Sequence, residues 1–105
     1  MNECIFCKII SGEIPTSKVY EDEQVLAFLD RNPKAKGHTL VIHKIHTPNF
    51  METPDNILGE MMPKLKMIAE KQMRETGAKG FNLAVNNGES AGQEIHHLHF
   101  HIIPR

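Results

Sequence analysis

The stretch His97-Leu98-His99-Phe100-His101-Ile102-Ile103 alternates histidine with large apolar residues over the length of a β-strand. A period of two is typical of a strand, because successive side chains point to opposite faces of the sheet. The pattern predicts that Leu98, Phe100 and Ile102 enter a core, while three imidazoles spaced about 6.5–7 Å apart share the other face. A solvent-exposed, histidine-rich face is the structural alternative, but seven histidines in 105 residues, three of them here, favour a functional site.

The size and charge of the chain narrow the possible classes of protein. Its 105 residues predict one domain, 1–105, and 12 Lys+Arg against 13 Asp+Glu give no basic face for nucleic acid. The N-terminus lacks a signal-peptide pattern and no segment reaches membrane-spanning length, so we expect a cytoplasmic protein without a membrane partner. In that compartment, Cys4 and Cys7 at Cys-x-x-Cys spacing favour a metal or redox pair over a structural disulfide.

The rest of the chain predicts an α+β fold with an antiparallel sheet of about five strands. Thr53-Pro54-Asp55 is a helix start, with the Thr53 hydroxyl as N-cap, and Gly77 is suited to the left-handed cap at the other end. The methionine-rich stripe of this helix predicts core packing together with a dimer interface. The predicted elements are short helical turns at 5–12, strands at 18–21, 24–30, 38–43, 80–86 and 97–103, and one long helix at 53–76.

The loop before the histidines is rich in groups that donate hydrogen bonds. Asn86, Gly88, Ser90, Gly92 and Gln93 offer amide, hydroxyl and flexible backbone N–H groups, which suit the wrapping of an anion. Glycine and asparagine clusters are usually ordinary turns, so the loop indicates a phosphate site only together with the adjacent histidines.

The segment Gly92-Gln93-Glu94-Ile95-His96-His97-Leu98-His99-Phe100-His101-Ile102-Ile103-Pro104-Arg105 resembles the signature of the histidine triad (HIT) superfamily, His-φ-His-φ-His-φ-φ with φ apolar. The resemblance extends to 4–10, 28–30 and 37–42, so it covers nearly the whole chain. It is similar to the nucleoside phosphoramidase-like branch, and it implies the HIT-like fold, a short N-terminal helix and a homodimer.

The resemblance also implies a reaction. An imidazole near neutral pH is a competent nucleophile and an acid or base. By the family pattern, His99 attacks the α-phosphate of a nucleoside phosphoramidate or related nucleotidyl conjugate, and water then hydrolyses the nucleotidyl-histidine. His101 contacts the phosphate or leaving group, while His97 and His38 orient the reacting histidine.

The family pattern assigns the substrate contacts as well. Asp30 is implied to accept hydrogen bonds from both ribose hydroxyls, and a carboxylate is able to bind a vicinal diol in this way. Asn86 and Gln93, with the backbone around Gly92 and Glu94, would hold phosphoryl oxygens. The base, a purine by family habit, would enter an apolar slot formed by Ile5, Phe6, Ile9, Phe28 and Leu29, although each of these is equally suited to an ordinary core.

Cys4, Cys7, His46 and His97 are ligand types that suit tetrahedral zinc, although their separations are too long for a zinc finger. The resemblance implies that they form a structural zinc site which fixes His97 behind the nucleophile, with no metal required for the chemistry.

Three other functions remain open from the sequence. His97, His99 and His101 could jointly bind a metal ion, although the outer Cβ atoms of a flat strand lie about 13 Å apart. The chain could be a zinc-containing nucleotide-binding protein with vestigial catalysis, or a dinucleoside polyphosphate hydrolase.

Overall fold

The computed structural model describes residues 3–105, which form a five-stranded antiparallel sheet with a helix on each face. The α+β prediction is confirmed, and most element boundaries agree with the sequence to within one or two residues. In chain order the elements are α1 (Ile5–Ile10), β1 (Lys18–Glu21), β2 (Val25–Leu29), β3 (Thr39–His43), α2 (Asp55–Thr76), β4 (Phe81–Ala84), a 3₁₀ turn (Glu89–Ala91) and β5 (His99–Pro104).

The sheet has the order β1-β2-β3-β5-β4, and its central strands are buried on both faces. Val25, Val41 and Phe100 pack in the cluster that contains the apolar stripe of α2. On the opposite face, Leu26 and Ile42 pack with residues of α1. The histidine face of β5 therefore lies on the α1 side of the sheet, with His99 buried and His101 half-buried.

The long helix follows its predicted course, but its first turn is capped differently. The N-cap is Pro54, without a side-chain capping bond. The prediction of Thr53 was wrong, because its hydroxyl donates to the Asn49 carbonyl at 2.6 Å and lies 2.7 Å from the Thr47 hydroxyl. At the other end Gly77 has a φ of +77°, which only glycine adopts readily, and its N–H donates to the Met73 carbonyl, as predicted.

The histidine strand begins two residues later than predicted. His97 and Leu98 precede β5, and the Leu98 N–H donates to the Thr47 carbonyl at 2.8 Å instead of joining the sheet ladder. Leu98, Phe100 and Ile102 nevertheless enter the core on the α2 side. Neither helix within residues 3–105 is long and apolar enough to cross a membrane.

Candidate active site and metal cluster

A cavity of about 570 Å³ opens between α1, the end of β2 and the histidine face of β5. Its volume lies within the range of roughly 300–1,000 Å³ that is usual for small-molecule sites. It contains most of the predicted site residues, including the whole apolar slot. The predicted residues that line it are Ile5, Phe6, Ile9, Phe28, Leu29, Asp30, Asn86, Gly92, Glu94, His99 and His101.

His99 presents one free lone pair to this cavity. Its Nδ1 lies 2.8 Å from the backbone carbonyl of His97. A carbonyl only accepts hydrogen bonds, so Nδ1 carries the proton and Nε2 has the lone pair. Burial lowers the pKa of His99 and keeps the ring neutral, and the ring of Phe6 packs edge-on against it with centroids 5.0 Å apart. The arrangement fixes both the tautomer and the orientation that a nucleophile requires.

His38 and His101 form a directed hydrogen-bonded pair beside His99. The backbone N–H of Lys34 donates to Nδ1 of His38 at 3.1 Å, so neutral His38 carries its proton on Nε2. That nitrogen lies 3.0 Å from Nδ1 of His101, which therefore accepts and leaves the His101 proton on Nε2. Burial lowers the pKa of both rings, that of His101 to about 4, so both are neutral near pH 7. His101 is thus a hydrogen-bond donor next to His99.

Asp30 lies next to this pair as well as at the cavity wall. One carboxylate oxygen, Oδ1, accepts from the Asn32 N–H at 2.9 Å, and Oδ2 is 3.4 Å from Nε2 of His38. The Asp30 N–H donates to the His38 carbonyl at 2.9 Å. The carboxylate is therefore held at a fixed place between the cavity and His38.

The polar groups of the loop before the histidines differ in whether they already form hydrogen bonds within the protein. Gln93 is 4% exposed and outside the cavity lining, and its amide joins the Gly88 N–H to the carbonyls of Pro48 and Ile95. The Gly92 N–H donates to the Glu89 carbonyl at 2.9 Å. Within residues 3–105 the N–H of Glu94 donates to no protein group, so it is a backbone donor able to meet an anion at the cavity wall.

The four predicted zinc ligands lie close together at the N-terminal end of α1. Cys4 Sγ lies 3.3 Å and Cys7 Sγ 3.6 Å from Nδ1 of His97, while His46 Nδ1 is 3.4 Å from Cys7 Sγ and 3.1 Å from His97 Nδ1. His97 is fully buried, and its Nε2 donates to the His43 carbonyl at 2.9 Å. Its Nδ1 is therefore a lone pair aimed at the thiols, as in a metal-bound histidine.

These distances match the edges of a zinc tetrahedron. Zn–S bonds of about 2.3 Å and Zn–N bonds of about 2.0–2.1 Å place sulfur and nitrogen ligands about 3.6 Å apart and two nitrogens about 3.3 Å apart. The ligand atoms of the four residues all lie within 4.8 Å of one another. Their chemistry and geometry fit a zinc ion.

The alternative in which His97, His99 and His101 share one ion does not agree with the structure. His97 directs Nδ1 to the thiols, whereas His99 directs Nδ1 to a carbonyl. The described residues contain two groups of three or more possible ligands, and neither unites the three histidines. His97 and His101 belong to two different clusters, and His99 belongs to neither.

Several lining residues were not predicted, because most come from loops without a chemical motif and Leu40 is an ordinary apolar residue of β3. Asn32 and Lys34 lie within four residues of Asp30, and this proximity was a signal that could have found them. No signal in the sequence indicated the segment before β1. Arg31 and Lys34 form no ion pair with any residue of 3–105. The unpredicted lining residues are Ile14, Pro15, Thr16, Arg31, Asn32, Lys34, Leu40 and Ile95.

The family model of the HIT domain matches residues 11–105. The chain belongs to the HIT domain family. It is 56% identical over 102 residues to a HIT-like protein of Methanocaldococcus jannaschii, covering 97% of this chain and 78% of that protein. It is 50% identical to adenylylsulfatase HINT3 of Arabidopsis thaliana and 44% identical to adenosine 5′-monophosphoramidase HNT1 of Saccharomyces cerevisiae, covering 99% and 97% of this chain. The matches span 53% and 62% of those two relatives.

Solved structures show the same fold. A HIT family protein from Bacillus subtilis superposes with a TM-score of 0.95 at 51% identity, covering 99% of this chain and 74% of that one. A zinc-bound histidine triad family protein from Mycobacterium smegmatis superposes with a TM-score of 0.93 at 40% identity, covering 98% and 75%. The HIT fold and family membership are thus confirmed.

Proposed function

We propose that this HIT chain is a nucleotide hydrolase that cleaves nucleoside phosphoramidates, or related nucleotidyl conjugates, at the α-phosphate. The observation that carries the proposal is the 2.8 Å contact from His99 Nδ1 to the His97 carbonyl, because it leaves a neutral Nε2 lone pair at a cavity of nucleotide size. The names of the Arabidopsis and yeast relatives support an adenylyl group as substrate.

In the first step, Nε2 of His99 forms a bond to the α-phosphorus while the bond from phosphorus to the leaving group breaks. A departing amine takes up one proton in this step. In the second step, water displaces the nucleotidyl group from His99 and releases one proton, so the cycle needs no further reactant. The Nε2–H of His101 stabilises the charge that develops on the phosphoryl oxygens or the leaving group.

The remaining site residues bind and orient the nucleotide. The base, by family habit a purine, enters the slot between Ile5, Phe6 and Phe28, and Asp30 accepts the ribose hydroxyls. Asn86 and the Glu94 N–H contact the phosphate, whereas Gln93 supports it indirectly by fixing the loop. We assign these roles according to which polar groups already form hydrogen bonds within the protein.

A structural zinc ion held by Cys4, Cys7, His46 and His97 is part of the proposal. It is supported by the ligand geometry and by the zinc-bound mycobacterial relative. Such an ion would cross-link the start of α1 to the segment before β5. The proposed reacting groups, His99 and His101, are not among these four ligands, so the zinc ion would have a structural role.

A homodimer is also proposed, with β4 in its interface. This strand lies at the edge of the sheet with every residue exposed, and Phe81 and Leu83 are 39% and 46% exposed on the same face. Exposed edges and apolar patches of this kind are usually covered. Sedimentation should give a dimer at micromolar concentration and a weaker dimer for Leu83→Asp; a wild-type monomer would refute it.

The hydrolytic proposal is tested by incubating adenosine 5′-phosphoramidate with the wild type, His99→Ala and the control His96→Ala. His96 is exposed beside the metal ligand and outside the cavity lining, so its loss should leave turnover intact. We expect His99→Ala to lower kcat at least about a thousandfold, as loss of a nucleophile does. Rapid quenching and mass spectrometry should detect a nucleotidyl group on wild-type His99.

If His99→Ala kept full activity, the nucleophile would be another group. Binding of adenosine monophosphate without turnover would favour the vestigial-binder alternative. A strong preference for dinucleoside polyphosphates would favour the polyphosphate hydrolase alternative.

A further inference from the structure

The single proton on His38 Nε2 lies near two groups that attract it, of which only His101 Nδ1 forms a hydrogen bond with it. His101 Nδ1 lies at 3.0 Å and Asp30 Oδ2 at 3.4 Å. His38 cannot serve them with two N–H groups, because the Lys34 N–H occupies its Nδ1. The Asp30 carboxylate therefore attracts this proton electrostatically without a hydrogen bond, and a change in that attraction alters the bond to His101.

We propose that Asp30 is a positioning residue that competes with His101 for the His38 proton, and that the 2′,3′-diol of the bound ribose relieves this competition. The inference rests on the proposed function, and it makes the diol a contributor to turnover as well as to affinity. The substrates favoured at the chemical step are then ribonucleotides with both hydroxyls.

The local geometry confines the effect to these groups. Asp30 Oδ1 is held by the Asn32 N–H at 2.9 Å, and the Asp30 and His38 backbones are joined by another bond of 2.9 Å, so the carboxylate cannot swing away. His38 is 1% exposed, so water does not readily replace either group. The fold therefore fixes the arrangement of Asp30, His38 and His101.

A bound diol changes this balance by donating to the carboxylate. A ribose hydroxyl that donates to Oδ2 occupies that oxygen and reduces its attraction for the His38 proton. The His38 Nε2–H then interacts with His101 Nδ1 alone. Because hydrogen bonds in a chain polarise one another, this makes His101 Nε2–H a stronger donor toward the reacting group.

The test compares adenosine 5′-phosphoramidate with its 2′,3′-dideoxy analogue, using the wild type and Asp30→Ala. In the wild type we expect kcat at saturation to fall about three- to tenfold for the dideoxy substrate, the kinetic equivalent of one hydrogen bond. In Asp30→Ala the two substrates should have equal kcat. The variant should also turn over the dideoxy substrate faster than the wild type does, because the competitor has been removed.

A merely ribose-binding Asp30 gives a different pattern. The dideoxy change would then raise KM in the wild type and leave kcat unaltered, and Asp30→Ala would not accelerate the dideoxy substrate. Either result overturns the inference while leaving the hydrolytic proposal intact. A wild type that hydrolyses neither substrate contradicts the proposed function instead.

Proton NMR of the His38 Nε2–H resonance gives a readout that is independent of turnover and of the variant's folding. We expect adenosine monophosphate to move this resonance downfield as the bond to His101 strengthens, and 2′,3′-dideoxyadenosine monophosphate at saturation to move it much less. Equal shifts with the two nucleotides would overturn the proposal.

Discussion

Two clusters of similar side chains lie on either side of His99, and they are arranged for opposite purposes. Cys4, Cys7, His46 and His97 form one cluster, whereas Asp30, His38 and His101 form the other. Each brings at least three possible metal ligands within 4.8 Å of one another. Residue type and proximity alone would predict a metal ion in both.

In each cluster one histidine has a ring nitrogen that faces away from the other members. The hydrogen bond made by that nitrogen distinguishes the two clusters. His97 donates through Nε2 to the His43 carbonyl, so an unprotonated Nδ1 faces the thiols and is ready for a cation. His38 accepts from the Lys34 N–H, so a protonated Nε2 faces its neighbours, and metal binding there would place two N–H groups against each other at Nδ1. A backbone carbonyl thus favours a metal ligand, and a backbone N–H favours a hydrogen-bonded relay.

Cys7→Ser gives the largest effect expected from this comparison. The Cys7 thiol lies within 3.6 Å of both histidines of the metal cluster, and serine is a poor zinc ligand. We expect bound zinc to fall from one ion per chain to near zero, and Tm to fall by about 10 °C or more as the ion's contribution to stability is lost. Elemental analysis and thermal denaturation would measure both, with His96→Ala as the control. Protein purified without chelator that holds no zinc would remove the metal site altogether.

The sequence predicted the elements of this fold well, because the relevant signals are local. Alternation identified β5 and the burial of Leu98, Phe100 and Ile102, and Gly77 marked the end of α2. The Thr53 cap failed, because a tertiary contact with Thr47 outweighed a local capping preference.

The chemistry of the site was less accessible from the sequence. The residues of the proposed active site were predicted from a family signature, but their roles depend on contacts between distant positions. The pairing of His38 with His101 spans 63 residues, and the bond that sets its direction comes from a backbone N–H, which has no sequence signature. The same holds for Gln93, whose amide supports the loop from behind.

The cluster of Asp30, His38 and His101 also predicts a response to acid, which is testable by substitution at His101. Burial and the neighbouring His99 and His38 lower the pKa of His101 from 6.5 to about 4. The unfolded chain therefore binds more protons than the folded one between these values, so His101 contributes stability that is present above about pH 6.5 and lost as the pH falls toward 4. Urea denaturation at several pH values should show a smaller acid loss for His101→Gln, by about one proton in the slope. An unchanged slope would contradict the prediction.

Removing zinc from the folded wild type should have the smallest effect, and it is the most direct test of the division between the clusters. The bonds from His97 Nε2 to the His43 carbonyl and from His99 Nδ1 to the His97 carbonyl do not involve the metal. With both intact, a chelator should lower kcat at 25 °C by no more than about threefold, less than the 10- to 100-fold typical of lost outer contacts at a catalytic metal. Initial rates with adenosine 5′-phosphoramidate, with circular dichroism to verify folding, would measure the change. A hundredfold loss in a folded, zinc-free protein would contradict this division, because it would mean that a metal ion takes part in the chemistry.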